Sequence, residues 1–150
     1  MPRAGTERLA AWDATRTAVA RALRELGQRL EAERGQQLST YLLLEALVAS
    51  GGHMRSSELA EALVQGRPTT TRMCDRLEHD GLVRRERREQ DGRAVEVVLT
   101  KKGRDEYRRC QPAYERFVED LFGRYGQSMS ARRDASGSPG VGGSSIRRDR

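Results

Sequence analysis

The sequence is poor in cysteine and histidine, and this shortage excludes whole classes of protein. Two cysteines and two histidines occur in 150 residues, too few for a disulfide framework or a clustered metal site. They are Cys74, Cys110, His53 and His79, and their spacing suits no shared metal ion. We therefore predict no metal and no cofactor. No nucleophile–base set and no phosphate-binding loop is recognisable either, so we do not expect an enzyme.

Long apolar runs are also missing. No segment approaches the ~20 apolar residues that span a bilayer. Residues Met1 to Thr6 lack the apolar stretch of a signal peptide. We expect a soluble, cytoplasmic protein without a membrane partner.

What the sequence does contain is arginine. Its 28 basic residues outnumber 22 acidic ones, the net charge is +6, and only Lys101 and Lys102 are lysines. Arginine forms paired hydrogen bonds with phosphates and guanine edges, which suits a polyanionic partner. Charge alone does not distinguish DNA from RNA or a membrane surface. Abundant arginine also has a second explanation, genome composition. The partner must therefore be inferred from where the arginines lie in the predicted fold.

The N-terminal residues repeat apolar positions at helical spacing. A helix from about residue 7 to Glu33 carries a narrow apolar stripe with Arg16 in its one missing place; the stripe consists of Leu9, Trp12, Val19, Leu23, Leu26 and Leu30. Such a stripe is typical of coiled coils. A helix ~40 Å long is more than one small globule can cover. We predict that residues 1–34 form an N-terminal dimerisation helix.

The middle of the chain, residues 35–100, predicts a helix-turn-helix unit followed by a charged hairpin. The expected elements are a helix over Leu38–Ser50, a short helix over Glu58–Val64 capped by Ser56 and Ser57, a helix from Pro68 to Asp80, and strands from Leu82 and over Arg93–Leu99. The sequence Gln90-Asp91-Gly92 between the strands is a hairpin-turn signal. The fold class is thus mainly α, a winged helix-turn-helix with a two-stranded β-hairpin wing.

The C-terminal region divides at Gly126. Thr100 is placed to cap a second dimerisation helix over residues 101–126, with apolar side chains around Tyr114, Phe117, Leu121 and Phe122. Residues 127–150 are rich in serine and glycine and hold almost no large apolar side chain. We predict a disordered tail there, because so little apolar surface cannot offset the entropy of ordering.

The helix that begins near Pro68 has two distinct faces. Thr70, Met73, Cys74 and Leu77 recur at helical spacing and should face the core. The outward side chains are hydroxyls and charges, at Thr69, Thr71, Arg72, Asp75 and Arg76. A helix after such a turn can lie in the major groove of DNA, where these groups suit phosphate and base contacts.

The hairpin adds a second candidate contact. An arginine at its tip, Arg93, could enter the minor groove beside the occupied major groove, held by a charge-assisted hydrogen bond from Asp91. The run of arginines along the first strand is interleaved with Glu86 and Glu89. Phosphate contact and a solvated strand face are equally good interpretations of that run.

Several motifs together closely resemble the MarR family of bacterial regulators over roughly Leu9 to Phe122. They are Leu59-Ala60, Thr71-Arg72, Leu77-Glu78-x-x-Gly81-Leu82-Val83-x-Arg85, Asp91-x-Arg93 and Leu99-Thr100-x-x-Gly103. The resemblance implies a homodimeric repressor on a palindromic operator, released by a small phenolic or lipophilic ligand or by thiol oxidation. Transferred to this sequence, it makes double-stranded DNA the partner of Arg67, Thr69, Thr71, Arg72, Arg76, Asp91 and Arg93.

The family's ligand position and its last helix give two further expectations. Trp12, Arg16, Tyr41 and His53 are candidate effector contacts between the dimer helices and the DNA-binding lobe, although each also suits a core or interface position. Cys74 should be structural, and a sensory role for Cys110 would require an exposed thiol with a depressed pKa. The sequence departs from the family after Gly126, where a sixth helix is not recognisable.

An interpretation from another functional class stays open. The same winged helix could serve as a protein–protein interaction module or antirepressor with only non-specific DNA affinity. An exposed apolar patch on the recognition helix would favour that role, and the sequence instead places threonine and arginine there.

Overall fold

The computed structural model describes residues 4–87 and 94–135 and consists of helices around a small antiparallel sheet. The elements are α1 (Ala4–Arg34), α2 (Leu38–Ala49), β1 (His53–Arg55), α3 (Ser56–Ala62), α4 (Arg67–His79), β2 (Val83–Arg87), β3 (Val95–Leu99) and α5 (Lys101–Ala135). Packing divides the chain into two compact units, Met1–Val118 and Glu119–Arg150.

The long N-terminal helix is buried only towards its C-terminal end. Leu26 and Leu30 of α1 are buried, and the last residues of the helix are bound to α5. Arg109 Nη2 donates to the Arg34 carbonyl at 2.7 Å, and Arg116 Nη2 donates to Glu33 Oε2 at 2.6 Å. The N-terminal part of the same helix projects with its apolar side chains exposed.

The core of the first unit is formed by α2, α3, α4 and the sheet. Its buried members are Leu43, Leu44, Leu47, Leu59, Cys74, Leu77, Leu82, Val83, Val97 and Leu99. Three leucines of α2 therefore belong to the same buried cluster as side chains from four other elements, α3, α4, β2 and β3. This shared core packs α4 against the sheet.

The predicted caps of α3 are wrong by one or two residues. Ser56 and Ser57 lie inside the helix, and Arg55 takes the N-cap position. Glu58 Oε2 accepts the Arg55 backbone N–H at 3.1 Å. Ser56 Oγ instead donates to the Val95 carbonyl, at 3.3 Å. The serine hydroxyl thus donates a hydrogen bond to a carbonyl of the sheet. No local sequence pattern could reveal this partner.

The sheet contains a strand that the sequence did not predict. The strand order is β1-β3-β2, with both pairings antiparallel, so β2 and β3 form the predicted hairpin and β1 is added on the other side of β3. Gly51 and Gly52 adopt positive φ, and the Gly52 carbonyl accepts the Leu99 N–H at 2.8 Å. Three residues are too few for alternation to give a strand signal. Pairing with β3 creates β1.

Close backbone packing joins the start of α5 to the start of β2. Thr100 Oγ1 accepts the Gly103 N–H at 3.0 Å, which confirms the predicted cap. The same hydroxyl lies 2.7 Å from the Gly81 carbonyl and 2.9 Å from the Leu82 carbonyl, to which it can donate. Gly81 itself has a φ of +75°, which explains the glycine after α4.

The last helix is longer than predicted. α5 continues to Ala135, so residues 127–135 are helical, whereas the sequence placed them in a disordered tail. No glycine or proline interrupts them before Gly137, and backbone hydrogen bonding propagates a helix even without apolar periodicity. The predicted tail beyond Ala135 lies outside the described residues.

Candidate nucleic-acid interface

The helix α4 is presented by a short turn after α3. Val64 and Gly66 form this turn, with Val64 at a φ of +51° and Gly66 as the N-cap of α4. Pro68 takes the second helical position, one later than predicted. Thr70 is buried, and its Oγ1 donates to the Gly66 carbonyl at 3.2 Å. The first turn of α4 is therefore closed by its own side chain.

The two faces of α4 separate as predicted. Thr70, Cys74 and Leu77 are buried, and Met73 is half-buried. The predicted DNA-contacting side chains of α4 are all exposed, at Arg67, Thr69, Thr71, Arg72 and Arg76. A row of hydroxyls and guanidinium groups on an otherwise rigid helix has the chemistry that contacts phosphates and base edges.

One of these arginines, Arg76, also contacts α2. Arg76 Nη2 donates to Thr40 Oγ1 of α2 at 3.3 Å, and Thr40 is buried. This bond holds Arg76 at the junction of α4 and α2. The Arg76 side chain is therefore more restrained than a free surface arginine.

The strand β2 carries arginines with two different environments. Arg84 is exposed and bonds Glu86 within the strand, Nε to Oε1 at 2.5 Å. Arg85 is half-buried and directed onto α4. The two predicted contacts at the wing tip, Asp91 and Arg93, lie outside the described residues.

Arg85 joins the wing to α4 through several hydrogen bonds that the sequence did not reveal. Its Nη1 lies 2.5 Å from Asp75 Oδ1 and 3.2 Å from Glu78 Oε2. Its Nη2 donates to the Thr71 carbonyl at 3.1 Å, and its backbone N–H donates to Glu78 Oε1 at 3.0 Å. The hydrogen bond to Asp75 is the main cause that raises the pKa of Arg85.

The four predicted effector contacts lie in different environments. Trp12 and Arg16 are exposed on α1, where Arg16 Nη2 lies 3.6 Å from Asp13 Oδ1. His53 is exposed on β1, whereas Tyr41 is buried in α2. The Tyr41 ring packs between Tyr107 and Tyr114, with centroid distances of 5.4 and 4.3 Å. Burial raises the pKa of Tyr41, so its phenol stays protonated.

A groove of about 640 Å³ lies on the outer side of α2, beside α3 and α5. Leu42, Ala46, Ala49 and Leu63 supply apolar walls, and Glu45 and Tyr107 supply polar groups; Val48 and Ala62 complete the lining. None of the four predicted effector residues lines this groove. Burial, and then the charge of Glu115, raises the pKa of Glu45.

Both cysteines are buried in environments that disfavour the thiolate. Burial is the first cause that raises the pKa of Cys74, and the positive charge of Arg85 opposes it. Burial also raises the pKa of Cys110, and the neighbouring Glu106 carboxylate adds to that effect. Because the thiolate is the reactive form, we expect both buried thiols to resist oxidation.

We therefore expect that hydrogen peroxide leaves DNA affinity unchanged. Mass spectrometry after mild peroxide treatment should find both native thiols unmodified, while a Thr17→Cys variant, with its thiol at an exposed position of α1, is oxidised. Fluorescence anisotropy should give the same affinity before and after treatment. Loss of affinity that Cys110→Ser prevents would contradict this expectation and assign Cys110 a sensory role.

Residues 4–87 and 94–135 contain neither a candidate metal site nor a helix that could span a membrane. No group of three or more histidine, cysteine, aspartate or glutamate side chains could hold a metal ion there. None of the helices in this part of the chain has both the length and the apolar character needed to cross a membrane.

Comparison with known proteins identifies what this arrangement is similar to. The model of the MarR family matches residues 38–95. The crystal structure of AbsC, a MarR family transcriptional regulator from Streptomyces coelicolor, has a TM-score of 0.72 at 28% identity and covers 85% of this chain and 87% of its own. Comparison with curated protein sequences finds no significant match.

Two further solved structures concern DNA binding or its regulation by a small molecule. Sco3205, a MarR family transcriptional regulator from Streptomyces coelicolor in complex with DNA, has a TM-score of 0.72 at 25% identity, with 86% of this chain and 84% of its own covered. Bordetella bronchiseptica BpsR, whose DNA binding is regulated by 6-hydroxynicotinic acid, has a TM-score of 0.67 at 20% identity and covers 85% and 99%.

Proposed function

We propose that this chain is a MarR-like transcriptional regulator rather than an enzyme, and that it acts in the cytoplasm as a homodimeric repressor on a palindromic operator. The observation that carries the proposal is the exposed row of threonine and arginine on α4, fixed beside the base of a β-hairpin. Sco3205, which shares the fold, has been solved with DNA. Occupancy of the operator would block transcription of an adjacent gene.

In the proposed complex α4 occupies the major groove. Thr71 and Arg72 then face bases and phosphates, because both are exposed on the side of α4 away from the core. Arg67 and Thr69 lie near the N-terminus of α4, where positive charge and backbone N–H groups favour phosphate. Arg76 lies further along the helix and binds phosphate from its position beside Thr40. A dimer would place two such helices on half-sites about one helical turn apart.

The wing supplies the proposed minor-groove contact. We assign Arg93 this contact and Asp91 the role of holding it. The exposed guanidinium of Arg84, further back on β2, suits the neighbouring phosphates. Arg93→Ala should lower operator affinity, whereas unchanged affinity would remove the wing from the proposal.

We also propose that a small phenolic or lipophilic effector releases the operator, as 6-hydroxynicotinic acid regulates DNA binding by BpsR. Trp12, Arg16, Tyr41 and His53 remain the proposed contacts. Tyr41 is 1% exposed, so its ring must leave the stack with Tyr107 and Tyr114 before a ligand can contact it. Effector binding would therefore disturb α2, which contacts α4 through the bond between Thr40 and Arg76.

The first experiment measures specific DNA binding directly. Fluorescence anisotropy would compare DNA from immediately upstream of the gene with a scrambled duplex across a salt series. We expect discrimination of about 10³-fold or more at physiological salt. Equal affinity for both duplexes, lost as salt rises, would contradict operator recognition at that segment and favour the protein-interaction role.

The recognition helix is then tested with a matched pair of charge deletions. Arg72→Ala should weaken operator binding by about 1–3 kcal/mol, the typical contribution of a good base contact. Arg108→Ala removes the same charge from an exposed position of α5 and should change affinity about twofold at most, since distant charges are screened. Equal losses in the two variants would mean that net charge, not α4, determines binding.

A further inference from the structure

Arg85 is directed onto α4 rather than towards solvent. Its side chain is 26% exposed, whereas that of its neighbour Arg84 is 57% exposed. The bonds of Arg85 reach from the Thr71 carbonyl to the Glu78 carboxylate, about 10 Å along the helix at 1.5 Å per residue. A strand residue attached over two helical turns restrains both the position and the angle of β2 relative to α4.

The partners of Arg85 are also the carboxylates that DNA would repel. Asp75 lies one helical turn after Thr71 on the exposed face of α4, and its side chain is 58% exposed. Glu78 lies one turn further on and is 40% exposed. Unneutralised carboxylates at these positions would face phosphate groups in the proposed complex. The guanidinium of Arg85 compensates both charges at contact distance.

We propose that Arg85 is a positioning residue for DNA binding: it fixes the wing to α4 and neutralises Asp75 and Glu78, so that both elements engage the duplex together. This inference rests on the proposed function. It assigns Arg85 no direct contact with DNA. It also explains why an acidic residue is compatible with the centre of a DNA-reading helix.

A double-mutant cycle tests this role. Arg85→Gln should lower operator affinity by about 10- to 100-fold, because residues that share one hydrogen-bond and charge network are strongly coupled. In the background Asp75→Asn with Glu78→Gln, the same substitution should cost about threefold or less, since no carboxylate remains to be neutralised. Arg85→Lys, which keeps the charge without the planar fork, should recover part of the affinity.

The controls separate positioning from phosphate contact and from loss of fold. Arg84→Gln removes a charge from the same strand, and its cost should be equal in the two backgrounds. Circular dichroism and thermal unfolding establish that each variant is folded at the temperature of the assay. An Arg85→Gln loss that is unchanged in the Asp75→Asn, Glu78→Gln background would overturn the proposal in favour of a phosphate contact.

The two proposals fail in different ways. If wild-type protein discriminates its operator and Arg85→Gln binds equally well, the positioning role is wrong and the proposed function stands. If wild-type protein shows no discrimination on any promoter DNA, the proposed function is wrong and the positioning role is overturned with it.

Discussion

Gly103→Ala is expected to destabilise the fold by about 3 kcal/mol or more, at the upper end of what overpacking costs. A Cβ on Gly103 would fall far inside van der Waals contact with the Leu82 carbonyl oxygen and would lie 2.8 Å from Leu99 Cδ1. The Leu82 carbonyl cannot easily withdraw, because it accepts the Thr100 backbone N–H at 3.1 Å. Relief would therefore require α5 to move away from the sheet.

Thermal or urea unfolding at fixed protein concentration measures this effect, which should lower Tm by about 10 °C for a chain of this size. Gly123→Ala is the matched control in the same helix, because a Cβ there meets nothing within 4 Å. The control should stabilise the helix by about 0.5–1 kcal/mol, the usual difference between the two residues. Equal Tm values for wild type and Gly103→Ala would contradict the close packing.

The second large effect is expected at the apolar stripe of α1. Its N-terminal members are 49–62% exposed, namely Leu9, Trp12, Val19 and Leu23. The helix spans 31 residues, or about 46 Å at 1.5 Å per residue. Only the C-terminal part of the stripe, at Leu26 and Leu30, is buried within the chain. We therefore propose that a second copy of the chain covers the rest.

The double variant Trp12→Glu, Leu23→Glu should weaken dimerisation by about a thousandfold or more, since two buried anchor residues each contribute 2 kcal/mol or more. Sedimentation equilibrium would measure the dimer dissociation constant, and operator affinity should fall with it. Operator affinity falls because a monomer contacts only one half-site, whereas a dimer contacts both half-sites at once.

A control variant adds the same two charges to the opposite face of α1. Ala10→Glu with Ala14→Glu changes exposed positions that lie about 160° and 200° around the helix from Trp12 at 100° per residue. This variant should remain dimeric. A dimer that survives Trp12→Glu, Leu23→Glu would show that the stripe is not the interface and would leave dimerisation to the region around Phe122, which is also exposed.

Sequence patterns were most informative where structure is local. The two faces of α4, the glycine after it and the Thr100 cap each depend on residues within a turn or two, so periodicity and capping rules located them. The prediction for α3 failed because Ser56 bonds Val95, 39 positions away in sequence. The prediction for residues 127–135 failed because backbone propagation, not side-chain pattern, extends α5.

The sequence by itself determined the winged helix-turn-helix fold and which face of α4 is exposed, because helical spacing separates core from solvent without knowledge of neighbours. Only the tertiary structure decided what the exposed charges do. Arg84 and Arg85 are adjacent and identical in type, yet Arg84 bonds within its strand and Arg85 bonds α4. The same holds for β1, which exists only because β3 supplies its hydrogen-bond partners. Pairings between distant residues depend on how the elements pack together, and that packing is not encoded in any local pattern.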